Sequence, residues 1–331
     1  MTRNERIAAG IIYVLLCVTL VIKNNAVAVE PGKISRTAML TTVYRAIGAL
    51  DPDEKIRNSD TFSEKFFPRS SWDKIFPYIN FSKGYEYAIQ MIQIDVRLGY
   101  YYVNARTKHI DVILSDSLKN DVKQVVNLGS GYDSRAYRFH QAAPEVRYFE
   151  IDLPEMIADK KMRVKEILGA LPDWVSYVPI DFNKQILSEE LTKAGYDKNK
   201  KTLFIWEGVT MYISKEAVMG TLQFIAGQSP PGSSVVFDYV PKAILDLKNK
   251  YEQIDKGTNG RKWMPGEPII FGIEDDKLET FFSQIGLKLV SDLGPLDLTY
   301  KYLVRANGLV AGYVGGYAKI AHGVVPGRDQ K

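Results

Sequence analysis

Short apolar runs alternate with amphipathic stretches through the middle of the chain. Val125–Leu128, Val146–Ile151, Ser176–Ile180, Leu203–Trp206 and Ser234–Tyr239 are each four to six residues long and rich in β-branched or aromatic side chains, as buried strands are. Between them, Pro154–Leu168, Lys184–Ala194 and Lys215–Gly227 carry apolar residues at helical spacing. Strand, helix and strand at these intervals predict βαβ units, hence an α/β, doubly wound, mostly parallel sheet with helices on both faces. Asp276–Ile285 reads as a further helix, with strands at Leu287–Asp292 and Gly312–Ala321. Upstream, an aromatic, Pro-broken stretch from Phe62 to Tyr87 overlaps a long helical pattern from Tyr85 to Leu118. Lys242–Pro268, charged and containing Trp263 and Met264, reads either as a lid after the fifth strand or as a surface helix plus loop. The Phe62–Tyr87 and Lys242–Pro268 segments are the expected pocket walls.

The N-terminus departs from this pattern. Ile7–Ile22 is an uncharged run between Arg6 and Lys23. As a helix it would span roughly 24 Å, slightly short of a hydrocarbon core, which suits a membrane anchor or the apolar region of a signal peptide. Ala26-Val27-Ala28 offers a small-residue cleavage site, while Lys23 ahead of it favours a retained anchor. The expectation is a membrane-anchored protein with a cytosolic catalytic domain, the alternative being passage through the secretory pathway; Asn80-Phe81-Ser82, a glycosylation sequon, would report the latter.

Composition narrows the chemistry. With 46% hydrophobic and 25% charged residues over 331 positions, the chain has the make-up of an ordinary folded protein. A net charge of +4 without a Lys/Arg block predicts no nucleic-acid partner. One cysteine, Cys17, and three separated histidines leave no Cys- or His-based metal site and no intrachain disulfide, so no metal is expected.

The candidate chemistry sits where the predicted strands end. The first run leads into Gly129-Ser130-Gly131-Tyr132-Asp133, a tight turn of the kind that lets a ligand approach backbone. The third glycine of a dinucleotide fingerprint is missing, since Ser134 stands there, and that counts against NAD(P). The second run ends in Glu150-Ile151-Asp152, and an acid at this distance from the turn can accept hydrogen bonds from both hydroxyls of a ribose. The third ends in Asp181-Phe182, suited to an adenine amino group and ring face, and the fourth in Glu207-Gly208. Ligands of doubly wound sheets bind along this carboxyl edge.

Gly129-Ser130-Gly131-Tyr132-Asp133-Ser134-Arg135-Ala136-Tyr137-Arg138, with Phe149-Glu150-Ile151-Asp152 and Glu207-Gly208-Val209-Thr210-Met211-Tyr212, resembles the leucine carboxyl methyltransferase family, in particular its S-adenosylmethionine-dependent branch that includes polyketide O-methyltransferases. The resemblance runs from about Ser35 to Ala321 and implies a class I methyltransferase-like, seven-stranded sheet with an N-terminal helical extension. Residues 1–30 would be the anchor or signal, 31–120 a helical cap on the substrate side, and 121–325 the cofactor-binding domain. It implies S-adenosyl-L-methionine as cofactor. Arg106 would clamp its methionine carboxylate, Gly129 and Gly131 would form the backbone approach, and Asp152 would hold the ribose. Asp181 and Phe182 would frame the adenine, with Glu207 and Tyr212, near the methionine end and the substrate entrance, as the catalytic candidates; Glu150, Asp133 and again Glu207 complete the cofactor-binding set. Asp133 and Arg135 also read as a supporting ion pair. Trp206, standing where the family usually has a small residue, is a departure that bears on the substrate. A carboxylate acceptor would need no general base; for a hydroxyl acceptor Glu207 and His109 are the candidates, although His109, three residues after Arg106 on the same helical pattern, reads first as a satisfied surface or core histidine.

The reading that follows is an O-methyltransferase acting on a carboxylate or hydroxyl of a small or lipophilic acceptor, with membrane association through residues 7–22. A protein C-terminal carboxylate is the narrower alternative. From other classes, an NAD(P)-dependent oxidoreductase would share the turn and ribose acid, and a non-catalytic cofactor-binding or scaffold protein would share the whole site.

Overall fold

The computed structural model describes residues 35–67, 84–181, 184–254, 269–315 and 318–327. Among them, seven strands form one sheet: β1 (Gln124–Leu128), β2 (Arg147–Asp152), β3 (Val175–Pro179), β4 (Thr202–Trp206), β5 (Ser234–Tyr239), β6 (Lys288–Leu293) and β7 (Lys319–Val324), in the order β3-β2-β1-β4-β5-β7-β6. The first five pair in parallel, and β7 runs antiparallel between β5 and β6. This is the doubly wound class I methyltransferase arrangement, with the order reversing between β1 and β4, where such sheets open a crevice.

The period of two along each strand sorts its side chains into two cores. Val125, Tyr148, Leu203, Ile205 and Val236 face one side, packed by α1 (Arg36–Gly48), α2 (Gly84–Lys119) and later by α9 (Pro295–Tyr302). Val126, Leu128, Phe149, Ile151, Phe204, Trp206, Val235 and Phe237 face the other, packed by α5 (Leu187–Lys193), α6 (Lys215–Gln228) and α8 (Leu278–Gln284). The helical residues upstream of β1 therefore share one core with the sheet. The remaining described helices are α3 (Arg135–Arg138), α4 (Pro154–Leu168) and α7 (Lys242–Ile254).

Local signals explain the helix bounds. α4 starts with Pro154 at its first position and stops at Gly169, whose φ of 82° suits a glycine C-terminal cap. Ser214 accepts from Ala217 N at 3.2 Å to cap α6, and Ser35 caps α1 from Ala38 N at 3.1 Å.

The first five strands fall within one residue of their expected ends. The expected strand at Gly312–Ala321 is displaced: β7 begins only at Lys319. Residues before it fold back along α9 instead, with Ala311 N donating to Leu303 O at 2.8 Å and Val314 N to Thr299 Oγ1 at 2.9 Å. The Tyr101 ring lies where a Gly312 side chain would stand, 2.1 Å from an added Cβ, so this stretch offers backbone contact rather than strand side chains. Helix α9 was not expected, although Gly294-Pro295 with Asp297 accepting from Gly294 N at 2.9 Å marks its start.

Residues 7–22, Cys17, Ala26–Ala28, Asn80, Phe182 and the Trp263–Met264 part of the expected lid lie outside the described residues. Among the described residues no helix is long and apolar enough to cross a membrane.

Candidate functional site

Strand parity puts the acids on one face. Glu150, Asp152, Glu207 and Asp238 are an even number of residues from Tyr148, Ile205 or Val236, so they point toward the layer containing α2. Where they stand along each strand then decides what each can do.

The turn after β1 needs glycine. Gly129 has φ 70°, and a Cβ there would sit 2.3 Å from Val209 Cγ2; Gly131 has φ 42°. Ser130 N continues the β1–β2 pairing to Ile151 O at 2.8 Å, and Gly131 N donates to Asp152 Oδ2 at 2.6 Å. Asp152 Oδ1 accepts from Leu153 N at 2.8 Å. Burial raises the Asp152 carboxyl, and these backbone donors, with Lys160, work against that. Each oxygen keeps a lone pair for a further donor, as a ribose diol would require.

Glu150, two residues earlier, does not reach this edge. It is 1% exposed and ion-paired with the fully buried Lys160 of α4, whose Nζ also lies 3.4 Å from Ser130 O. The expected ligand role of Glu150 is replaced by a structural one: its carboxylate and Lys160 support the turn from below.

Beyond β4, Glu207 forks between two arginines. Oε1 lies 3.0 Å from Arg106 Nη2, and Oε2 2.8 Å from Arg135 Nη1. Arg106 also reaches Asp238 Oδ2 at 2.5 Å, its guanidinium 5.0 Å from the Tyr102 ring centroid. Asp238 holds the loop itself, accepting from Gly208 N at 2.6 Å and Tyr102 Oη at 2.9 Å. Arg135 closes the group, pairing with Asp133 and with Asp111 at 2.7 Å, so Asp133 and Arg135 form the expected ion pair. Burial opposes charge throughout, but Arg106 and Arg135 outweigh it and hold Glu207 below the usual carboxylate range. In turn Glu207 and Asp238 hold Arg106 above its ordinary value despite burial. Glu207 is thus a carboxylate fixed by two cations, and the base role considered for it is not one this setting favours.

The other expected residues spread around this centre. Asp181 lies just past β3, its carboxylate 2.8 Å from Lys184 Nζ. Tyr212 is half-buried on the 3-10 turn Thr210–Tyr212. His109 is buried, with Nδ1 2.8 Å from Tyr302 Oη on α9, which agrees with the core-histidine reading and not with the base. Trp206 is likewise core, fully buried beside Phe237. Phe62 and Phe66 pack on Tyr137 and Tyr132 at 5.0 and 5.3 Å, bracing the turn.

Six participants were not foreseen: Asp238, Asp111, Arg45, Asp60, Tyr102 and Lys160. Asp238 had a signal, since the fifth apolar run also carries an acid near its end. Arg45 Nη2 donates to Tyr132 O at 2.8 Å inside the Gly turn, and Asp60 accepts from Ser134 Oγ at 2.6 Å; neither sits in a motif.

A nucleoside carrying an amino-acid tail fits this arrangement. Arg106 has five N–H bonds, and its buried Nε has no partner among the described residues, nor has the buried Ser130 Oγ beside the turn. The leucine carboxyl methyltransferase family model matches residues 38–226, more than half of the chain.

The chain belongs to the leucine carboxyl methyltransferase family. The chain is also similar to "Putative S-adenosyl-L-methionine-dependent methyltransferase YktD" of Bacillus subtilis (strain 168), at 29% identity over 197 residues, covering 59% of this chain and 63% of that protein. A "Putative S-adenosyl-L-methionine-dependent methyltransferase" of Mycobacterium ulcerans (strain Agy99) is 36% identical over 143 residues, 43% of this chain and 46% of its own length. The chain thus spans about half to under two thirds of the length of these relatives. Among solved structures, magnesium protoporphyrin IX methyltransferase from Synechocystis PCC 6803 with bound SAH overlaps with a TM-score of 0.45 at 12% identity, covering 76% of this chain and 97% of that one. At that overlap the fold assignment rests on the strand order alone. The leucine carboxyl methyltransferase match ends within α6, so β5, with Asp238, and everything after it lie beyond the matched span.

Proposed function

We propose that the protein is an S-adenosylmethionine-dependent O-methyltransferase that methylates a carboxylate or hydroxyl of a small or lipophilic acceptor. The observation that carries this is the fork of Glu207 between Arg106 and Arg135 beside a Gly turn tied to Asp152. Arg106 would take the methionine carboxylate on its remaining donors, Asp152 the ribose hydroxyls, Asp181 and Phe182 the adenine, and Gly129 and Gly131 the close backbone approach. Tyr212 would stand at the acceptor side, with the helical region 31–120 as its cap.

The cofactor, when bound, supplies an electrophilic methyl on a positively charged sulfur. The acceptor oxygen forms the new C–O bond as the C–S bond breaks, and the neutral thioether leaves. Such a displacement asks the protein chiefly for alignment and exclusion of water. An ionised carboxylate needs no proton removed, whereas a hydroxyl gives one up. With Glu207 locked between guanidiniums, the chain's own residues favour the carboxylate version, which requires no base. The apolar run 7–22 would anchor the protein with the catalytic region in the cytosol, where the cofactor is made.

Calorimetric titration of the full chain with S-adenosylmethionine and with NAD, beside Arg106→Ala and Asp152→Ala, tests this. Micromolar binding of the first alone, lost in both variants, is the expected result. A folded wild-type protein that binds neither, or only NAD, would remove the proposal.

A further inference from the structure

The ion pairs around the site form one continuous buried chain. Starting on α1, Arg45 pairs with Asp60, Asp60 with Arg138, Arg138 with Asp111, Asp111 with Arg135, Arg135 with Glu207, Glu207 with Arg106, and Arg106 with Asp238. These eight groups alternate in sign and cancel. Asp133 branches from Arg135 as a ninth, leaving five carboxylates against four guanidiniums. Every member is at least nine-tenths buried by its side chain. Nearby, Lys160 is paired with Glu150, which burial lifts to about 7 and which is mostly ionised above that pH, and Asp152 adds a second negative charge at the edge.

An uncompensated charge in such surroundings costs free energy that a ligand of opposite sign recovers. The surplus belongs to Asp133, which lies two residues past Gly131 on the turn itself and whose Oδ1 accepts from Arg135 N at 2.7 Å. Arg135 is thereby shared between Asp133 and Glu207, so the excess spreads toward Arg106 and the end of the site assigned to the methionine tail. On the reading proposed above, the two ligands that alternate there differ in charge: S-adenosylmethionine carries a net +1, S-adenosylhomocysteine none.

We infer that Asp133 is a specificity-determining residue: the single negative excess of this buried chain makes the protein prefer the cationic cofactor to its neutral product and so assists product release. Two properties set this apart from a surface effect. Burial keeps the interaction from being screened, so the preference should persist at about 0.5 M salt, and it should follow charge rather than the methyl group.

The test is calorimetry of the full chain at about pH 7.5 with three ligands. These are S-adenosylmethionine, S-adenosylhomocysteine and sinefungin, whose protonated amine replaces the sulfonium on the same skeleton. A unit charge about 10 Å away at an effective dielectric of about 20 corresponds to roughly a tenfold ratio. Both cationic ligands should therefore bind about tenfold more tightly than the neutral one. Asp133→Asn keeps the shape and the acceptor for Arg135 N, and should bring the ratio to within about threefold. Equal wild-type affinities, or a ratio unchanged in Asp133→Asn, overturn the inference while leaving the cofactor reading intact. Failure of a folded wild-type protein to bind any of the three overturns that reading itself, and the inference with it. Should Asp133→Asn not fold, Asp133→Ser, which also removes the charge and keeps an oxygen acceptor near Arg135 N, takes its place with the same expected loss of preference.

Discussion

Replacing Glu150 and Lys160 together, as Glu150→Gln/Lys160→Met, exposes what the buried pair beneath the Gly turn does to stability. In the folded chain burial lifts the Glu150 carboxyl from 4.5 to about 7, against the pull of Lys160. Between those two values the folded state keeps a proton that the unfolded state has released. The stabilisation from this group is therefore fully present below about pH 4.5 and is lost as the pH rises through about 7. At about 1.36 kcal/mol per unit, the window is worth roughly 3 kcal/mol. The wild-type profile alone will not display this cleanly. Burial lowers His109 and His322 from 6.5 to about 4, and each contributes stability that is present above 6.5 and lost as the pH falls. These two trends oppose that of Glu150 over much of the same range. Both histidines remain in the double variant, so they cancel in the difference. Urea unfolding of wild type and double variant at several values from about pH 5 to pH 8 should give a free-energy difference that falls by roughly 3 kcal/mol in the wild type's disfavour. A flat difference would refute the reasoning, because it would mean that Lys160 holds Glu150 ionised throughout.

Two further substitutions probe the turn and the clamp. Gly129→Ala forces a side chain into the left-handed region and against Val209, and should cost about 2–4 kcal/mol by urea unfolding; adding Val209→Ala should return the steric part and leave the backbone part, and no recovery would show that the contact is not what matters. Tyr102→Phe removes one of the donors to Asp238 but leaves Arg106 and Gly208 N in place, so stability should fall by about 1 kcal/mol and cofactor affinity by less than about fivefold; a loss as complete as that of Arg106→Ala would mean that Tyr102 touches the ligand.

The sheet was legible because parallel strands buried on both faces are written as continuous apolar runs, and helices between them as amphipathic ones. β7 was not, since its neighbours Gly312 and Gly315 interrupt any period and what fixes the segment is contact with α9 and Tyr101. The site divides in a similar way. Its strand-end acids were legible because topology alone brings carboxyl ends together. The cations' partners were not: Arg106 and Asp238 are 132 residues apart, and Arg45 and the Tyr132 carbonyl 87.

Glu150 and Asp152 show where local reading stops even inside a motif. They share a strand, a parity and a charge, so nothing in their spacing separates them. What separates them is depth: Asp152 stands at the last position of β2, where the turn's amides meet it, while Glu150 stands one strand repeat below, where Lys160 of α4 meets it. Lys160 is the third member of the apolar stripe Met156, Ile157, Lys160, Val164, a cation at a core position. A charge there is tolerated only if something opposite is buried with it. Lysine in that stripe therefore implies a buried carboxylate on the strand it covers, and Glu150 is the acid on β2 that the helix covers. Read this way, the pair separates by partner: Glu150 is the acid ion-paired with the buried lysine, and Asp152 is the one met by the amides of the turn.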